Sequence, residues 1–118
     1  MENKDTYAVD DGHPIPNLDV VDVNTVKKGG GSDLFIVVAS PLSGDQRSLE
    51  RLLRKIERYL EFLQTEDFHS ESGDPNPENT NIVVKLHPFS DRSAFDLLER
   101  SREWVKSNNA SLIVDTNL

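Results

Sequence analysis

The sequence predicts an α/β domain: a two-layer sandwich in ββαβαβ order, with a mixed four-stranded sheet and two helices on one face. Three observations carry this. Leu34 to Ala39 is an uninterrupted, β-branched run, the pattern of a central strand. Two strand–proline–cap–helix units follow one another, and right-handed crossovers between strands running in one direction place both helices on one side. Ile82 to His87 alternates, with Ile82, Val84 and Leu86 on one side and Val83, Lys85 and His87 on the other. A sheet covered on both faces would not leave a lysine and a histidine on such a strand.

The elements follow in order. Residues 1–17 are polar, hold Pro14 and Pro16, and show little periodicity, so they read as a disordered tail. The single domain then spans 18–118. Leu18 to Val26 mixes valines with Asp19, Asp22 and Asn24, a half-exposed edge strand. Lys27 to Ser32 turns through three glycines, which reach positive φ without steric cost. The first two strands therefore form a hairpin. Ser43 with Gln46 fits a capping box opening the first helix. Its apolar face is Leu49, Leu52, Leu53, Ile56, Tyr59, Leu60 and Leu63.

Residues 65–80 carry five acids, Gly73, Pro75 and Pro77, with a lone Phe68, and read as a flexible acidic loop. After the third strand, Ser90 caps a second helix whose inner face is Ala94, Leu97, Leu98, Ser101, Trp104 and Val105. Asn108 and Asn109 suit the left-handed residue that ends helices. Leu112 to Val114 is the last strand. The two strand–helix units match at a constant offset of 45 from Arg47 and Arg92 onward. An old duplication explains this, and so do the shared rules of capping and periodicity.

At 118 residues the chain allows one domain. Its net charge is −8, but the charge is unevenly placed. Residues 1–17 hold four acids against one base, and 65–80 hold five acids and no base. The remainder has 12 acids and 12 bases. No concentrated basic face points to nucleic acid. With no cysteine, disulfides and thiolate chemistry are excluded. The N-terminus lacks a signal-peptide pattern and no apolar run is long enough for a membrane span, so the expected location is cytoplasmic.

Candidate chemistry is sparse. Ser40, Ser43, Arg47, His87, Ser90 and Arg92 should gather at the carboxyl ends of the parallel strands, where open α/β sheets bind ligands and where helix N-termini offer free N–H groups. This is a candidate ligand or anion site. A triad drawn from Ser40, His87 and Asp115 has no nucleophile elbow, and no catalytic residue is assigned. Asp10-Asp11-Gly12-His13 looks like a fragment of a metal site, but a tail cannot fix ligand geometry, so no metal or cofactor is expected. Arg47, Arg51, Arg54 and Arg58 form a stripe opposite the apolar face of the first helix. Its default reading is a solvated face paired with Glu50, Glu57 and Glu61, and its alternative is a docking surface for an acidic partner or the acidic loop. The open sheet face, with Val83, Lys85, His87 and Ile113, needs a cover. A partner chain, or Tyr7, Val9 and Ile15 of the tail, would supply it.

The strand Leu18–Val26, the hairpin into Leu34–Ala39, and a helix reading Leu52-Leu53, Ile56 and Tyr59-Leu60-Glu61-Phe62 resemble a family of small bacterial proteins of unknown function. The resemblance covers residues 18–118 apart from the acidic loop. It implies a bacterial cytosolic source and carries no activity or functional residue. The expected function is a non-catalytic protein-interaction module binding another protein or itself, either of immunity type or a homodimer through the open face. The alternative is a small-ligand or anion-binding domain, with an enzymatic role as one variant.

Overall fold

A computed structural model describes residues 8–117. Strands β1 (Val23–Val26), β2 (Ser32–Val38), β3 (Thr80–Leu86) and β4 (Ser111–Asp115) form one sheet in the order β1-β2-β3-β4. The β1–β2 pair is antiparallel and the other two pairs are parallel. Helices α1 (Gln46–Phe62) and α3 (Arg92–Ser107) are the crossover helices, and a short α2 (Glu66–Ser72) follows α1. This is the α/β architecture with strand–helix–strand crossovers that the sequence predicts.

Alternation decides which side of each strand is buried. Leu34, Ile36 and Val38 of β2, Ile82, Val84 and Leu86 of β3, and Leu112 of β4 are at most 4 % exposed and share one core. Leu52, Ile56, Tyr59 and Leu63 from α1 close it, with Ala94, Leu98 and Val105 from α3. The intervening positions Phe35, Val37, Lys85 and Ile113 stay partly or fully exposed on the other face. The hairpin turn depends on Gly31, whose φ is +88° and where a Cβ would lie 2.0 Å from the Asn79 carbonyl oxygen. Asn109, at φ 75°, ends α3 in the left-handed conformation.

Four local expectations are corrected. The first strand is shorter than Leu18–Val26: residues 18–22 bend instead, because Asp22 is held by side chains of α1. The helix caps fall on Asp45 and Asp91 rather than Ser43 and Ser90. The Asp91 carboxylate accepts from the Ser93 N–H at 2.9 Å, while the Ser90 hydroxyl is turned inward.

Residues 65–80 contain α2, opened by Thr65, whose hydroxyl accepts from the Phe68 N–H. Glu66 and Asp67 suit the positive end of that helix. Phe68 is 1 % exposed, edge-on to Phe62 at 5.4 Å, and its burial contributes about 2 kcal/mol. Finally, residues 8–17 pack on α1, with Ile15 1 % exposed, where the sequence reading expected a disordered tail. Residues 1–7, and Tyr7 with them, lie outside the described residues.

Candidate functional site

The carboxyl ends of β2 and β3 are closed by a knot of main-chain and hydroxyl bonds. The Leu42 N–H donates to the Ser90 hydroxyl at 3.0 Å, the Asp91 N–H to the Leu42 carbonyl at 2.8 Å, and the His87 N–H to the Val38 carbonyl at 3.1 Å. Gly44 fits against this knot because a Cβ would lie 2.4 Å from the Asp91 carboxylate. Ser90 is therefore buried and engaged. Ser40, Ser43 and Arg92 are exposed, and Arg47 reaches away to Asp10 at 2.6 Å. The His87 imidazole accepts from the Phe89 N–H at 3.0 Å, its ring 5.5 Å from that of Phe89.

Both helix starts carry a carboxylate. Ser48 and Ser43 hydrogen bonds hold Asp45 below the usual carboxylate range, and Ser93 does the same for Asp91. An incoming anion would meet two negative charges there. The components of the Ser40, His87, Asp115 triad are engaged apart from one another: Asp115 pairs with Lys85 at 3.3 Å and His87 with its own turn.

The open sheet face is organised in rows. Strand register aligns Val23, Phe35, Val83 and Ile113 across all four strands. Val83 is 8 % exposed between its neighbours, whereas Val23 and Ile113 are 47 % and 41 % exposed at the ends. A second row, Val37, Lys85 and Asp115, lies toward the carboxyl ends of the parallel strands. A third, Thr25, Asp33, Asn81 and Ser111, lies on the opposite side, with Asn81 donating to Asp33 at 2.9 Å and Lys27 at 3.3 Å from the same carboxylate. Val83, Lys85 and Ile113 thus lie on one face. His87 lies beyond the last residue of β3, in the turn. The exposed Phe89, at 81 %, was not singled out by sequence reasoning, although Pro88-Phe89 in a turn is the available signal.

A third surface is the outer flank of α1, covered by residues 8–22. Arg51, 3 % exposed, donates from Nε and Nη2 to the Ile15 carbonyl at 3.0 and 2.7 Å, and from Nη2 to the Ala8 carbonyl at 3.2 Å. Lys55, 1 % exposed, donates to the Asn17 carbonyl and to Asp22 at 2.9 Å. Asp22 also accepts from the Val37 N–H at 3.0 Å, and its own N–H donates to the Tyr59 hydroxyl, which donates to the Phe35 carbonyl. Burial pushes the Tyr59 phenol up, which keeps it a neutral donor. Arg58 reaches Asp19 at 3.3 Å.

The arginine stripe is therefore mostly engaged by the chain's own N-terminal segment. Sequence reasoning missed Lys55, and the signal was its spacing: Ser48, Arg51, Lys55 and Tyr59 form a second helical stripe beside Leu52 and Ile56. Both ring nitrogens of His13 are engaged within the protein. Its Nδ1 accepts from the Ile15 N–H and its Nε2 meets the Ser48 hydroxyl, both at 2.9 Å. Among the described residues no group of three or more His, Asp or Glu side chains is placed to hold a metal ion, and no helix is long and apolar enough to cross a membrane.

Compared with protein-family models, curated proteins and solved structures, the chain matches none.

Proposed function

We propose that the chain is a non-catalytic interaction module that pairs with a second copy of itself through the open sheet face. The observation behind this reading is the apolar row Val23, Phe35, Val83 and Ile113, with mixed polar rows on either side. Such a row is self-complementary. A two-fold axis along it lays the row on its own copy, reverses the strands, and brings Lys85 of each copy over Asn81, one strand away from Asp33. Four strands spaced about 4.8 Å make a face about 19 Å wide. The apolar row alone then covers less than the roughly 800 Å² per partner of a stable interface, so the rims must take part. The expected association is weak.

Sedimentation velocity over a range of protein concentrations tests it. Wild type should show concentration-dependent dimerisation that Ile113→Asp abolishes, with the variant's circular dichroism unchanged. A strictly monomeric wild type would sink the self-association reading, and a dimer untouched by Ile113→Asp would move the interface elsewhere. The alternative ligand site at the strand ends has weaker support, because Asp45 and Asp91 occupy the two helix starts.

A further inference from the structure

Residues 8–17 are joined to α1 chiefly by main-chain carbonyls that accept hydrogen bonds, and their own turn is shaped by a side-chain acceptor, the imidazole of His13, of a residue type that titrates near neutral pH. His13 stands in a chain of donors with one direction. The Ile15 N–H donates to His13 Nδ1, which must therefore be unprotonated. Nε2–H then donates to the Ser48 hydroxyl, which in turn donates to the Asp45 carboxylate. The 13–15 turn is the imidazole counterpart of an Asx turn, with the side chain accepting from the N–H two residues on. Protonating Nδ1 sets two N–H donors against each other and removes the bond that shapes the entry of Ile15 into the core.

The charged surroundings act in both directions. Arg51 and Arg47 face His13 from α1, Asp45 from the start of that helix, and Asp10 from its own segment. Burial and Arg51 hold the imidazole below its usual range, with Arg47 acting the same way. Asp10 and Asp45 oppose them without prevailing. The docked segment thus favours neutral His13, and the undocked segment binds the proton more readily. The histidine's contribution to docking is full above the ordinary histidine range and is lost progressively as pH falls below it.

We propose that residues 8–17 form a pH-sensitive latch on α1, tightest when His13 is neutral and loosened when it is protonated. Loosening strains the bonds from Arg51 and Lys55 to the Ile15, Ala8 and Asn17 carbonyls that hold the segment down, while Lys55 keeps Asp22.

Amide exchange of the full chain, read residue by residue by NMR as protection factors, tests the latch. The informative amides are Asp10, Ile15 and Leu18, which donate to Pro16, His13 and Ala8. From about pH 7.5 to about pH 5.5, their protection in wild type should fall about fivefold, the loss expected from one hydrogen bond. Ile82 and Val84 in the central strand should hold. His13→Asn keeps an acceptor for the Ile15 N–H and cannot titrate, so its profile should be flat. A flat wild-type profile overturns the proposal. An equal fall in His13→Asn overturns it by assigning the titration to carboxylates, and a fall that includes Ile82 and Val84 overturns it as global unfolding.

Discussion

The outer flank of α1 and the open face of the sheet are both surfaces that a two-layer fold leaves to solvent, and among the described residues the first is covered and the second is not. The flank is cationic. Arg47, Arg51, Lys55 and Arg58 are met by main-chain carbonyls and by Asp10, Asp19 and Asp22. The sheet face is apolar along its centre and has no cover among the described residues. The segment 8–22 is suited to the first task and not to the second. It is rich in Asp and Pro, and of its six apolar side chains only Ile15 and Leu18 are buried, while Val9 and Val20 are exposed. A segment without periodicity supplies abundant acceptors, so it covers a surface of donors. An apolar face requires a row of aligned apolar side chains, and the two that this segment buries, Ile15 and Leu18, are committed to the core.

The comparison can be broken most directly at Ile15, the one fully buried apolar side chain of residues 8–17. Ile15→Ala should cost about 3 kcal/mol in urea unfolding, because the side chain is 1 % exposed and its loss leaves a cavity beside Arg51. Val9→Ala, at a position 54 % exposed in the same segment, should stay within about 0.5 kcal/mol. Equal effects at the two positions would mean that residues 8–17 are not packed as described.

The next largest effect belongs to Lys55. Its ammonium is buried, but its partner Asp22 is 27 % exposed and keeps the Val37 N–H as a second donor. Lys55→Met preserves the stem and removes the charge. It should cost about 2 kcal/mol, below the range for a fully buried pair, since Asp22 can turn to water while the Asn17 carbonyl loses its donor. The same unfolding titration measures it. No loss would mean that shape, not charge, matches the segment to α1.

These residues also mark where sequence reading stops. The long elements were legible because burial sets their patterns: Leu34 to Val38 is an unbroken apolar run, Ile82 to Leu86 alternates, and Leu52, Ile56, Tyr59 and Leu63 repeat at helical spacing. Val83, Lys85 and Ile113 were placed on one face by the same alternation. Their alignment in rows with Phe35 and Val23 depends on strand register, which spacing within one strand cannot fix. The cover over α1 was hidden for a different reason. Arg51 and Lys55 read carbonyl oxygens, and carbonyls are common to every residue, so residues 8–17 need no recognisable pattern to bind there. Helix α2 escaped because seven residues with one apolar anchor, Phe68, give no period. Its cap, Thr65 before Glu66 and Asp67, was its only local mark.

The smallest effect sharpens the comparison most, because it separates charge from packing within the cover. Arg47 and Asp10 form an exposed ion pair, with side chains 53 % and 28 % exposed. Asp10→Asn keeps an acceptor for the Gly12 N–H and removes only the charge. At neutral pH it should cost about 0.5 kcal/mol, and less as salt screens the pair. Its effect in acid has a distinct sign. The Asp10 carboxylate favours the protonated form of His13, so removing it leaves Arg51 and Arg47 less opposed and drives the docked imidazole further down. The gap between docked and undocked histidine widens, and the acid-induced loss of protection at Ile15 becomes larger and extends to lower pH than in wild type. Were Asp10 itself the titrating group, the substitution would abolish the acid response instead of enlarging it. The exchange profile of this one variant therefore tells whether the cover is held by its surface ion pair or by the neutral imidazole beneath it.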